Sequence, residues 1–190
     1  MRNNPVIELI AKLNPLSEKC IQDFLNIISF DILPKNAVLL EIGQRARSMY
    51  FIKKGLARAY YYHDGKEVTD CFAVDGQFIG AVPSLINGLP SNKGIHLIET
   101  SEIYQFSSEA FEACCLQHHD LERATRRLTA FALLEEQERI ESLRFYSVRE
   151  KYDLVARKYP GIMNRCPLQY IASYIGTSQV SISRIRAGTQ

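Results

Sequence analysis

The sequence predicts an α+β fold, a block of short strands held between helices, with an all-helical unit at the C-terminal end. Three observations predict it. Apolar spacing changes from helical to strand-like near Phe30 and back again near Phe106. Residues 120–146 contain neither glycine nor proline and are rich in good helix formers. Two amphipathic runs then meet at Gly176 in "YIASYIGTSQVSISRIR".

The first thirty residues read as helical. In "PLSEKCIQDFLNIISF" Leu16, Cys20, Phe24, Ile27 and Ile28 recur at spacings of three and four, and Ser17 is placed to cap the run. From Phe30 to Phe106 short apolar runs alternate with Gly, Pro and Asp. "NAVLLEIG", "SMYFIKKG", "LARAYYYHDGKEVTDCFAV", "GQFIGAV" and "GIHLIETSEIYQF" follow one another at the spacing of a sandwich or barrel. Asp64-Gly65 suits a type I′ hairpin turn, whose two central residues both need positive φ. "VPSLINGLP" fits either a short helix or a loop.

Helix returns with "SSEAFEACCLQHH" and the long stretch after it. Leu121, Ala124, Leu128 and Phe131 follow a 3–4 spacing that suits a helix–helix seam. A seam with a second subunit and a seam with the chain's own β-region both fit. Ser147 opens a new unit through the capping box "SVRE". The resulting division is a β-region with its N-terminal helix (1–115), a long linking and dimerisation helix (116–146) and a C-terminal head (147–190).

Composition narrows the function. Before residue 144 the chain has 15 Lys and Arg against 19 Asp and Glu; from 144 onward eight face only Glu150 and Asp153. A basic end behind an acidic body suits a polyanion partner. No apolar run approaches the roughly 20 residues that span a bilayer, and the N-terminus makes a poor secretory signal. The five cysteines form no CxxC pair, so neither disulfides nor a metal site is expected, and a cytoplasmic location fits. His63 and His96 are the only strand-region histidines and no HxH occurs. No nucleophilic triad, P-loop or dinucleotide fingerprint is present, so no enzymatic activity is expected.

The last stretch matches the geometry of a helix-turn-helix. Ile171 and Ile175 face the core, and small Ala172 lets the second helix cross closely. Gly176 makes the turn, and Ile182 and Ile185 pack the second helix back. Thr177 or Ser178 caps that helix. Its outer face offers donors and positive charge, and no carboxylate occurs from Tyr159 to the end. Arg184 suits a guanine edge, Gln179 an adenine and Val180 a thymine methyl. Ser178, Ser181 and Arg186 suit phosphates, with Gln169 at the start of the first helix as a further contact.

In this order of parts the chain resembles the CRP/FNR superfamily of bacterial transcription regulators. The resemblance is carried chiefly by "VDGQFIGAVPSLINGLPSN" and "YIASYIGTSQVSISRIR". It implies a cyclic-nucleotide-binding-like β-roll and a cytoplasmic homodimer paired along the long helix. It also implies pseudo-palindromic double-stranded DNA as partner, with RNA polymerase as a further one. Cyclic-nucleotide-binding members carry a Gly-Glu pair and a later Arg; here stand Gly80-Ala81 and Ser91, Asn92, Lys93. Ala81 cannot accept a ribose hydroxyl, and Lys93 lacks the planar fork of Arg. The effector pocket therefore reads as degenerate, with no cAMP or other cofactor expected. The iron–sulfur branch uses a cysteine cluster that is lacking here, and nothing singles out His63, His96, His118 or His119 as a haem ligand. "AGTQ" after the second helix is too short for the hairpin wing that members usually carry. The competing expectation is a ligand-sensing or protein-interaction module that has lost DNA binding.

Overall fold

The computed structural model describes residues 4–188. Two short helices open the chain, α1 (Pro5–Leu13) and α2 (Glu18–Ile27). Asn4 caps the first by accepting the Val6 N–H at 2.9 Å, and Ser17 caps the second by accepting that of Cys20. The strands follow: β1 (Ser29–Leu33), β2 (Val38–Leu40), β3 (Ser48–Lys54), β4 (Ala57–His63), β5 (Lys66–Ala73) and β6 (Gln77–Ile79). A one-and-a-half-turn helix, α3 (Val82–Asn87), precedes β7 (Gly94–Leu97) and β8 (Ser101–Ser107). The helical spacing of the sequence extends to Phe30, whereas Ser29 and Phe30 already pair with Gln105 and Tyr104. Long-range strand pairing overrides the local helical spacing there.

The strands form two four-stranded antiparallel sheets in the orders β1-β8-β3-β6 and β2-β7-β4-β5. Asp64 and Gly65 join β4 to β5 with φ of 50° and 72°, the double left-handed turn that the Asp-Gly pair favours. Between the sheets lie Ile52, Ile79, Ile95, Leu97 and Ile103, all buried.

Five helices and one short turn of helix follow among the described residues: α4 (Ser108–Gln117), α5 (His119–Phe145), α6 (Val148–Lys158), the short α7 (Ile162–Arg165), α8 (Leu168–Ile175) and α9 (Gln179–Arg186). With 27 residues, α5 is about 40 Å long. Its N-terminal end packs with α1, α2 and α4, where Leu121 and Ala124 join Val6, Ile10, Phe24, Phe51 and Phe106. At Ser147 the expected box is formed: its hydroxyl accepts the Glu150 N–H, and the Glu150 carboxylate accepts the Ser147 N–H at 2.8 Å. The head that follows shares one core with the β-roll. Val155, Tyr159, Ile162, Ile171, Ile175 and Ile182 pack together with Leu56, Phe72, Val74 and Ile98. No helix among the described residues is long and apolar enough to cross a membrane.

Candidate nucleic-acid interface and effector pocket

The turn between α8 and α9 is set by one glycine and one serine. Gly176 ends α8 at φ 79°, ψ 41°. A Cβ there would meet nothing within 4 Å, so backbone conformation rather than space calls for glycine. The N–H groups of Gly176 and Thr177 both donate to the Ala172 carbonyl, at 3.0 and 2.9 Å, closing the helix end. Ser178 then caps α9 by accepting the Ser181 N–H at 3.1 Å. Of the two expected caps, Thr177 and Ser178, the cap is therefore Ser178. Ile182 and Ile185 are buried, as are Ile171, Ala172 and Ile175.

Burying those isoleucines turns the rest of α9 outward. Gln179, Val180, Ser183, Arg184 and Arg186 are exposed, Val180 to 60%. Gln169, on the first turn of α8, is exposed as well. Ser178 and Ser181, both expected on phosphates, lie with their hydroxyls 3.0 Å apart and bonded to each other, so a phosphate must compete with that bond. Part of the basic charge is spent internally. Arg165 binds Glu99 at 2.6 Å, Asp75 at 3.0 Å and the Gly55 carbonyl at 2.6 Å. Lys158 pairs with Glu135 and Arg149 with Asp153. Burial alone would raise the Asp75 carboxyl, but hydrogen bonds from Arg165 and the Gly55 N–H outweigh it and hold it below the usual range.

The inner side of the head is seated on β4, β5 and β7, which the sequence did not disclose. Ser173 on α8 bonds Thr69 of β5, hydroxyl to hydroxyl at 2.7 Å, and accepts the Thr69 N–H at 3.1 Å. The Arg58 guanidinium, fully buried, lies 3.8 Å from the Tyr170 ring centroid and bonds Thr69 and Glu67. Stacking and paired hydrogen bonds make such a buried cation tolerable. Gln77 of β6 donates to the Lys158 carbonyl at 2.9 Å. The side of the helix pair that docks on the β-roll is thus opposite to the exposed face of α9.

In the β-roll a cleft of about 460 Å³ opens beside the segment that links β2 to β3. Leu39, Leu40, Tyr50 and Ile95 line its apolar side, and Gln44, Arg45 and Arg47 bring polar groups to it. Of the five expected pocket residues only Ala81 lines this cleft. Gly80 is held close to Met49, whose sulfur would stand 2.7 Å from an added Cβ. Ser91 is buried and bonds the Lys93 backbone, and Asn92 is exposed. The Lys93 ammonium is paired with Asp70 at 2.6 Å.

Along α5 the expected seam divides. Leu121 and Ala124 have no exposed surface and belong to the chain's own core, which corrects their assignment to a dimer contact. Leu128 is half-buried, and Phe131 is 56% exposed. Beyond it Leu133, Leu134, Ile140, Leu143 and Phe145 are also exposed, a concentration of apolar side chains that a lone helix seldom presents to water.

Comparison with known proteins agrees with this architecture. Residues 31–118 match the family model of the cyclic nucleotide-binding domain. No curated protein sequence matches the chain significantly. FixK2 from Bradyrhizobium japonicum superposes with a TM-score of 0.72 at 16% identity, over 85% of this chain and 84% of that one. A protein from Eubacterium rectale described as a transcriptional regulator of the CRP/FNR family gives 0.69 at 14%, over 91% and 83%. The catabolite activator protein of Thermus thermophilus gives 0.57 at 18%, over 97% and 86%. Residues 31–118 are thus similar to the cyclic nucleotide-binding domain, and the chain shares its fold with these solved structures.

Proposed function

We propose that this chain is a DNA-binding transcription regulator of the CRP/FNR type, not an enzyme, acting in the cytoplasm as a homodimer. The observation that carries the reading is the outer face of α9. Two buried isoleucines fix the helix, and Gln179, Val180, Ser183, Arg184 and Arg186 stand on its solvent side without a carboxylate among them. Placed in a major groove, Arg184 offers a guanine two parallel N–H donors, Gln179 suits adenine and Val180 the thymine methyl. Arg186 and Gln169 then serve the phosphates. Residues 147–190 form the reading head, 116–146 the linking helix and 1–115 the sensor.

The dimer contact in this reading is the exposed apolar part of α5, from Phe131 to Phe145, in place of the Leu121 end. Two heads related by a two-fold axis read a pseudo-palindrome. The β-roll does not take cAMP in the manner of the nucleotide-binding members: Ala81 gives no ribose acceptor, and the Lys93 ammonium is engaged by Asp70. Thr189 and Gln190, part of the stretch read as too short for a wing, lie outside the described residues. Selection of binding sites from a random DNA pool tests the proposal. A two-fold-symmetric consensus is expected, and recovery of unenriched sequence would refute it.

A further inference from the structure

Three side chains from distant parts of the sequence meet where α2 packs on the junction of α4 and α5. Cys20 stands in the first turn of α2, His118 is the residue between α4 and α5, and Asp120 stands in the first turn of α5. The cysteine sulfur, one ring nitrogen and one carboxylate oxygen all lie within 4.8 Å of one another. Cys20 is fully buried and His118 is 7% exposed. Asp120 is fixed in place, since Oδ2 accepts the Ser17 N–H at 2.6 Å and Oδ1 accepts the Leu121 N–H at 3.0 Å.

We propose that Cys20, His118 and Asp120 form a binding site for a zinc-class divalent cation. Thiolate, imidazole and carboxylate are the donor types such an ion takes, three from the protein and a fourth position for water. Ligand atoms around tetrahedral zinc stand roughly 3.3–3.8 Å apart, so closure from separations of up to 4.8 Å needs shifts on the order of an ångström. Asp23 supplies the support that metal-bound histidines usually have, because its Oδ2 lies 2.8 Å from His118 Nε2. A proton on Nε2, donated to Asp23, leaves the lone pair on Nδ1. Among the described residues this is the group with the composition to hold a metal. The Cys20 thiol proton leaves to solvent as the ion binds. Bound there, the ion ties α2 to the root of α5, the helix that leads to the head.

The test uses the full chain, stripped with a chelator and titrated with Zn²⁺ alone against a chromophoric competitor. About one zinc per chain is expected, and Co²⁺ in its place should give a near-ultraviolet thiolate charge-transfer band. Cys20→Ser and Asp120→Asn should each weaken binding at least ~10-fold, while Cys114→Ser and Cys115→Ser should leave it unchanged. Far-ultraviolet circular dichroism reports whether each variant folds; should Cys20→Ser not fold, the cobalt band of the native chain decides. Absence of stoichiometric zinc, absence of the thiolate band, or loss of binding only in the Cys114 and Cys115 variants would overturn the site.

Discussion

Helices α8 and α9 are each eight residues long, and both use isoleucines to reach the same core, yet their other sides meet different surroundings. The far side of α8 rests on β5, with Ser173 bonded to Thr69 and Tyr170 over Arg58. The far side of α9 meets water. Two arginines of the basic quarter show the same split. Arg165 is consumed by Glu99, Asp75 and the Gly55 carbonyl, whereas Arg184 is on the exposed side of α9. Positive charge in the sequence is thus a poor count of the charge that stands at the surface. What matters is whether an acidic residue of the β-roll lies within reach.

Variants on the inner side should change stability and leave base reading alone, and the size of each effect sharpens the contrast. Ile171→Ala empties a fully buried position where the head meets the β-roll and should cost about 2–5 kcal/mol in chemical denaturation. Arg165→Ala should cost about 1–2 kcal/mol, between the values for surface and buried pairs, since its partners are partly exposed. Its pH dependence has a definite sign. Asp75 is held below its ordinary value in the folded chain, so the pair stabilises fully above about pH 4 and fades as the pH falls through the lowered value. Denaturation curves of native chain and variant should therefore converge toward acid. Ser173→Ala removes one seat of α8 and should cost about 0.5–1.5 kcal/mol, read as a small drop in denaturation midpoint.

Much of the architecture was legible because its signals are local. Asp64-Gly65 imposes its turn, Ser17, Ser147 and Ser178 cap the helices that follow them, and the glycine-free run after Asp120 is one helix. Features set by distant partners were not legible. Phe30 continues a helical spacing but pairs with Tyr104. Leu121 and Ala124 carry the same 3–4 pattern as Phe131, and only the arrival of α1 and α2 on one end of α5 separates core from exposed stripe. The sequence shows Lys93 where nucleotide-binding members carry an arginine, but not that its ammonium pairs with Asp70. Cys20, which spacing places only on the apolar side of a helix, meets His118 across almost a hundred residues of chain. A periodic pattern shows that a face is apolar, not what covers it.

Base reading by α9, as proposed, is tested most directly by Arg184→Ala. Fluorescence anisotropy should be measured on the selected site and on a scrambled duplex at one fixed salt concentration. A loss of about 1–3 kcal/mol is expected at the selected site, with little change on the scrambled one. Equal affinity of the native chain for both duplexes, or an Arg184→Ala variant that binds the selected site as tightly as the native chain, would contradict it.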